Sequence, residues 1–287
     1  VAPSVNEEIN LKLEKGALIV NYSGHGSEEQ WAQEQILTIN QINKLENEYR
    51  LPFFITATCE FGRYDEPEQQ SGAERLLFNE NGGAIGLMTT TRPVYANSNY
   101  TINSSFYNNA FLRNEDSTFD CLGDILRRTK NESIVGYNNR NFSLLGDPTM
   151  KLGYPDYKIF INSINGQPIL DVDTIRALEK VEVIGEVLTG VGVKATDFNG
   201  VLVLTVYDKV TDVTTLGDKG ESSFGFKERS SVVFEGEVQV INGEYKVEFV
   251  VPKDISYSFG SGKMSLYAMN EVGLSLIHIS EPTRQEA

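Results

Sequence analysis

The chain has 287 residues, 40% of them hydrophobic and 10% aromatic, which is enough for one large domain or two ordinary ones with packed cores. Its formal charge of -15 and pI near 4.7 exclude the clustered Lys and Arg that phosphate binding needs, so no nucleic-acid partner is expected. Only two cysteines occur, Cys59 and Cys121, which excludes a disulfide-rich scaffold and a four-cysteine zinc site.

No run of about 18 apolar residues marks a transmembrane helix. The sequence begins at Val1, without an initiating Met or a signal peptide, and reads as a fragment. Glu7 to Lys15 reads as the end of a helix, with Ile9, Leu11 and Leu13 among charges, and Gly16 breaks it. Ala17-Leu18-Ile19-Val20 has no polar alternation, the pattern of a strand covered on both faces. It runs on through Asn21-Tyr22-Ser23-Gly24 to His25 and Gly26. A polar loop with the only tryptophan, Trp31, follows. Thr38 is placed to N-cap a helix that includes Ile39, Ile42 and Leu45 and runs to about Tyr49.

Pro52 restarts the chain as an apolar strand, Phe53 to Thr58, that delivers Cys59. An acidic loop from Phe61 to Gln70 leads to a helix begun by Ser71 and stopped by Asn81-Gly82-Gly83. Ala84 to Met88 is a third apolar strand, followed by Thr89-Thr90-Thr91-Arg92-Pro93. Helices are predicted over Tyr95 to Leu112, rich in Asn and Ser, and over Thr118 to Lys130, where Phe119, Leu122, Ile125 and Leu126 repeat at helical spacing. Cys121 falls inside that second helix as a small buried residue. Phe142 to Thr149 is a buried segment ending in a turn. Strands alternating with helices predict an α/β layer with a parallel sheet.

The pattern changes near Tyr154. From Asp156 onward, short runs alternate with period two: 158–161, 181–187, 201–207, 232–240, 245–251 and 263–268. Asn242-Gly243 between two of them signals a hairpin. This half is predicted to be an immunoglobulin-like β-sandwich without the Cys pair or Trp of antibody domains. The predicted domains are 1–154, 155–274 and a tail, 275–287. That tail breaks with the composition before it and resembles translated sequencing-adapter read-through, so it is set aside with His278.

His25 is then the one histidine available to Cys59. The two stand 34 positions apart, room for one strand–helix–strand unit. A right-handed crossover would bring the strand ends together, at the edge where such sheets bind ligands. A cysteine nucleophile works as a thiolate, and a nearby imidazole can take its proton. The glycines beside His25 would open space, and the N–H groups of Gly26 and Cys59 could form an oxyanion hole. The implied reaction is acyl transfer from a peptide through a thioester, with water or an amine as acceptor. Spacing alone leaves a second reading open, two ordinary buried residues at strand ends. No metal site or cofactor is expected, since no further Cys or His completes a ligand set.

A Gly-His-Gly strand end followed one crossover later by Ala57-Thr58-Cys59 resembles the caspase–gingipain clan of cysteine peptidases. The segments 21–26, 54–62 and 142–152 resemble more narrowly the gingipain family. Thr174 to Leu178, Asp197 to Gly200 and Val251 to Tyr257 are similar to the region after the peptidase domain in PorU-type sortases of the type IX secretion system of Bacteroidetes. The resemblance implies a caspase/gingipain-like fold, with His25 and Cys59 catalytic and Gly26 at the oxyanion position. Ser23 and Ala57 would line the pocket for the residue before the cut, with the loop from Thr91 to Val94 as another wall. It implies a protein at the bacterial outer-membrane surface that removes C-terminal sorting domains from secreted cargo. Lipopolysaccharide would be an acyl acceptor, and other outer-membrane secretion components would be partners. It also places the carboxylate partner of the histidine before residue 1. A gingipain-like degradative protease and a catalytically inactive surface or adhesin module remain as alternatives.

Overall fold

The computed structural model describes residues 3–116, 118–169, 175–217, 222–255 and 260–270, and residues 275–280 for the backbone. Thr174, Ser256, Tyr257 and residues 281–287 of the tail lie outside the described residues. Two compact units divide between Tyr154 and Pro155.

The first unit opens with α1 (Pro3–Lys15), ended by Gly16 at φ +94°. Then come β1 (Ile19–Ser23), a small hairpin of β2 (Gln30–Trp31) and β3 (Leu37–Thr38), the single turn α2 (Ile39–Ile42), and β4 (Phe53–Ala57). The chain continues with α3 (Gly72–Phe78), β5 (Gly86–Thr90), α4 (Ala96–Ala110), α5 (Leu122–Glu132), α6 (Tyr137–Asn141) and β6 (Phe142–Gly146). The sheet order is β1-β4-β5-β6, with β1, β4 and β5 parallel. The expected parallel sheet is therefore present, but β6 runs antiparallel to β5, pairing Gly86 with Gly146 and Thr90 with Phe142.

Every residue of β4 and β5 is buried. Alternation along β4 decides which layer each side chain joins. Phe53, Ile55 and Ala57 pack with Ile102 and Phe106 of α4 and Leu122 and Ile125 of α5. Phe54 packs on the other side with Leu13 of α1, Trp31, Ile42 of α2 and Leu76 of α3. Helices thus cover both faces, and each fully buried Phe, Leu or Ile contributes roughly 1.5–3 kcal/mol. β1 departs from the reading of its apolar run. It is the edge strand of the described sheet, its Ile19 and Val20 are only half-buried, and Asn21 and Ser23 are exposed.

Two helices differ from their predicted extents. Thr38 does cap α2, in a capping box with Gln41. The helix stops at Ile42 rather than near Tyr49, because Asn79 Nδ2 takes the Ile42 carbonyl at 2.8 Å. Farther along, Asn47 turns in to meet Gly83, donating to its carbonyl at 3.2 Å and accepting from its N–H at 2.8 Å. α5 begins only at Leu122. Cys121 is its N-cap, half-buried, with its thiol 3.4 Å from Asp124 Oδ2.

The second unit is all β among the described residues. One antiparallel sheet has β7 (Tyr157–Ile164), β8 (Gln167–Pro168), β9 (Lys180–Thr189) and β14 (Glu244–Val250). The other has β10 (Gly200–Tyr207), β13 (Val232–Val240), β15 (Lys263–Asn270) and β16 (Ser275–Ser280). A separate hairpin joins β11 (Thr211–Thr214) to β12 (Gly225–Glu228). The period-two residues form one core: Ile159 and Ile161, Val181 and Val183, Val247 and Phe249 from one sheet meet Leu202 and Leu204, Met264 and Leu266 from the other. Asn242 and Gly243 form the tight turn, both at positive φ. Ile241 and Glu244 close it as the expected two-residue hairpin, exchanging N–H to carbonyl bonds of 3.0 Å, but the pairing stops there and the chain passes from β13 in one sheet to β14 in the other. Bonds from the Gly243 N–H to the Phe198 carbonyl and from the Val187 N–H to the Gly243 carbonyl, each 2.8 Å, anchor it.

Candidate active site

β1 and β4 are parallel neighbours in strict register, Ile19 opposite Phe53 through to Ser23 opposite Ala57. Neither strand reaches the reactive side chain. His25 lies two residues beyond Ser23, and Cys59 two residues beyond Ala57. The ladder runs one step further, the Gly24 N–H donating to the Ala57 carbonyl at 3.2 Å. Neighbouring strands lie roughly 4.8 Å apart, so the matched offsets place both residues just beyond the same end of the sheet, on adjacent strands.

The His25 backbone is held from behind. Tyr22 stacks on Trp31 with ring centroids 4.6 Å apart, and its hydroxyl donates to the His25 carbonyl at 2.8 Å. Ala32 N–H donates to the same oxygen at 2.8 Å, and Ser27 N–H to the Gln30 carbonyl at 3.0 Å. Burial, then the charge of Glu34, raise the Tyr22 phenol above its ordinary value, so it stays a neutral donor. The imidazole side chain itself is exposed. The flanking glycines do more than open space. A Cβ on Gly24 would meet Tyr22 Oη at 2.6 Å, and one on Gly26 would overlap Thr58 Oγ1 and sit 3.2 Å from the Gln30 carbonyl.

Cys59 is half-buried and unpaired, its thiol 3.8 Å from the Val94 carbonyl. Thr58 beneath it is fully buried; its hydroxyl donates to the Cys59 carbonyl at 3.2 Å, and its own carbonyl accepts from the Thr90 hydroxyl. Glu60 then takes φ +58°, turning the chain sharply. Among the described residues, neither the Gly26 N–H nor the Cys59 N–H has a hydrogen-bond partner.

The expected pocket residues fall in different settings. Ser23 is exposed at the strand end. Ala57 is fully buried, its methyl packed in the core, so it meets its surroundings through its carbonyl rather than as a pocket wall. Thr91 turns its hydroxyl to the Asn141 carbonyl at 3.3 Å. The part of that loop that reaches Cys59 is Val94.

The carboxylates nearby in sequence are bound to arginines. Arg63 meets Glu28 at 2.7 Å, Glu66 at 3.2 Å and Glu60 at 3.6 Å, joining the loop after His25 to the loop after Cys59. The hydrogen bond to Glu28 leads in raising the Arg63 guanidinium above its ordinary value. Arg92 grips Asp65 with two bonds, 2.9 and 2.5 Å, and that contact holds the Asp65 carboxyl down at about 2. Among the described residues no carboxylate pairs with the His25 ring. Sequence reasoning missed the Arg63 hub, whose signal was Glu60, Arg63 and Glu66 at steps of three. It also missed the Val94 contact and the Asn99 bond to Ala57, for which the sequence carries no local signal.

A thiol and an imidazole on adjacent strand ends, with two free N–H groups beside them, can carry out nucleophilic acyl transfer. The family model for peptidase family C25 matches residues 1–153. No curated protein matches the chain. Among solved structures, dimeric latent PorU from Porphyromonas gingivalis matches at 25% identity over 62% of this chain and 17% of that one, with a TM-score of 0.45. The complex of the pro- and mature domains of RgpB from Porphyromonas gingivalis matches at 16% identity over 96% of this chain and 56% of that one, with a TM-score of 0.47. The Arg-specific cysteine proteinase gingipain R matches at 16% identity over 96% and 55%, with a TM-score of 0.45. The chain thus spans from under a fifth to just over half of the length of these structures.

Proposed function

The chain belongs to peptidase family C25, and we propose that within this gingipain family of cysteine peptidases Cys59 is the nucleophile and His25 its base. His25 takes the thiol proton, and the Cys59 sulfur attacks the scissile carbonyl carbon. The resulting oxyanion is held by the N–H groups of Gly26 and Cys59. Collapse breaks the C–N bond, the leaving amine takes the proton from His25, and a thioester remains on Cys59. Water then releases the acid, or an amine forms a new amide. The observation that carries this reading is the common offset of His25 and Cys59 from the registered pair Ser23 and Ala57.

The finer reading is a PorU-type sortase at the bacterial cell surface. It would cut C-terminal sorting domains from type IX cargo and pass the new C-terminus to water or a lipopolysaccharide amine. Its support is the sequence likeness of the second unit, at 174–178, 197–200 and 251–257. The strand order of that unit also agrees with an immunoglobulin-like sandwich. Its first, second and fifth long strands (β7, β9, β14) share one sheet, and the third, fourth and sixth (β10, β13, β15) the other. A degradative gingipain-like protease is equally consistent with the family. Purified full-length protein separates the two when offered a cargo carrying its sorting domain and, in parallel, unrelated Arg- and Lys-containing peptides. A sortase cuts at the sorting-domain junction; cleavage of the unrelated peptides alone rejects the sortase reading. No cleavage after Cys59→Ala is expected in either case.

A further inference from the structure

Resting on the reading of His25 and Cys59 as the reacting pair, we propose that Asn99 is the positioning residue that sets their spacing, through the carbonyl of Ala57. That oxygen accepts two hydrogen bonds, from the Gly24 N–H at 3.2 Å and from Asn99 Nδ2 at 2.9 Å. Gly24 immediately precedes His25, and Ala57 stands two before Cys59. One oxygen therefore ties both strand ends to the first turn of α4.

Asn99 is 5% exposed. The orientation of its amide follows from chemistry: a carbonyl must meet a donor, so Nδ2 faces Ala57. Oδ1 is then left buried with no partner among the described residues. Such an unpaired buried acceptor is destabilising, and an alanine at this place would avoid it. Asn99 is a poor choice for the stability of α4, and what it supplies is the bond to Ala57. Local violations of this kind are expected where function constrains a residue.

The same face of α4 repeats the device, since residues four apart on a helix are neighbours. Asn103 exchanges amide bonds with Asn21 of β1 at 2.9 and 3.1 Å, and Tyr107 Oη accepts from Asn21 at 3.2 Å. The stripe of Asn99, Asn103 and Tyr107 thus holds the Cys59 strand at one rung and the His25 strand at the next two. A misplacement of about 1 Å between reacting groups costs on the order of 100-fold in rate, so α4 governs reactivity without touching substrate.

The test is the rate of alkylation of Cys59 by iodoacetamide in the whole chain. It is read by mass spectrometry, with Cys121 in the same molecule as reference, at about pH 5 and about pH 8. His25→Ala gives the rate of a broken pair. Asn99→Ala is expected to slow Cys59 about tenfold or more and leave Cys121 unchanged. Asn99→Asp is the same size. Burial at this place favours the neutral acid, whose hydroxyl would donate to the Ala57 carbonyl at about pH 5, whereas the carboxylate formed by about pH 8 would repel it. The expected ratio to wild type therefore rises from about a tenth at the higher pH to within about threefold at the lower. An Asn99→Asp ratio that does not change between the two pH values overturns the proposal, even where Asn99→Ala fails to fold. If His25→Ala slows Cys59 in the same experiment, only the role of Asn99 falls. If His25→Ala leaves Cys59 unchanged, the reading of the pair falls with it.

Discussion

Ser23 and Ala57 are registered partners on neighbouring parallel strands, and His25 and Cys59 each follow their strand's member of that pair by two residues. The equal offset matters because a parallel ladder carries both chains forward at the same rise of roughly 3.3 Å per residue. Beyond the ladder the two chains are held by different contacts: Tyr22 and Ala32 on the His25 carbonyl, Thr58 on the Cys59 carbonyl. Both residues therefore follow the same end of the sheet, each held by its own backbone contacts.

Gly26→Ala tests how tightly that edge is built. Its Cβ would overlap the Thr58 hydroxyl and press on the Gln30 carbonyl, and Thr58 is buried with no room to give. A loss of about 1–3 kcal/mol in urea unfolding is expected. The displaced Gly26 N–H should also lower peptide-cleavage turnover about 100-fold. A stable variant with unchanged turnover would remove Gly26 from the oxyanion site.

Much of this edge was legible in the sequence, and the reasons are local. The apolar runs of β4 and β5 and the capping residues Thr38 and Ser71 depend on neighbours a few positions away, and both caps form capping boxes. Direction and partner are different matters. Nothing in Phe142 to Gly146 says that β6 runs antiparallel to β5, and Asn242-Gly243 specifies a turn without specifying which sheets it joins. Asn99 bonds Ala57 across 42 positions, and Arg63 meets Glu28 across 35. Such pairs are set by how helices and loops pack on the sheet, which a single sequence does not display.

Trp31 is 2% exposed and packs against Tyr22, Phe54 and Phe61. Trp31→Ala should cost about 3–5 kcal/mol, because the stack behind His25 loses its filler. Trp31→Phe should cost much less, under about 1.5 kcal/mol, since it also removes a buried indole N–H that lacks a partner among the described residues. Chemical denaturation of the two variants checks this; equal losses would contradict it.

Tyr22→Phe isolates the hydroxyl that donates to the His25 carbonyl. The ring stack is kept and one hydrogen bond is lost, so stability should fall by about 1 kcal/mol. Turnover should fall more than that loss explains, because the backbone of His25 is freed. A variant with wild-type turnover would show that Ala32 alone suffices to hold the carbonyl.

The Asp65–Arg92 contact gives a pH dependence with a defined sign. Arg92 lowers the Asp65 carboxyl in the folded state to about 2, below the roughly 3.9 of an unfolded chain. The folded state therefore binds fewer protons in that interval. The contribution of the pair is present above about pH 4 and is lost as the pH falls towards about 2. The effect is small, since both side chains are partly exposed. Asp65→Asn should lower Tm slightly above about pH 4 and leave it unchanged near about pH 2, which flattens this part of the Tm-against-pH curve. An unaltered acid slope would show that other carboxylates carry it.

The mechanism proposed for the pair depends on activation of Cys59 by His25. Its most direct measurement is labelling of the folded chain by a peptidyl acyloxymethyl ketone, with the modified cysteine identified by mass spectrometry in wild type and in His25→Ala. An adduct is expected on Cys59 and none on Cys121, with the rate falling about 100-fold or more when His25 is removed. Labelling of Cys59 at an equal rate without His25, or a folded protein whose Cys59 stays unlabelled, would contradict it.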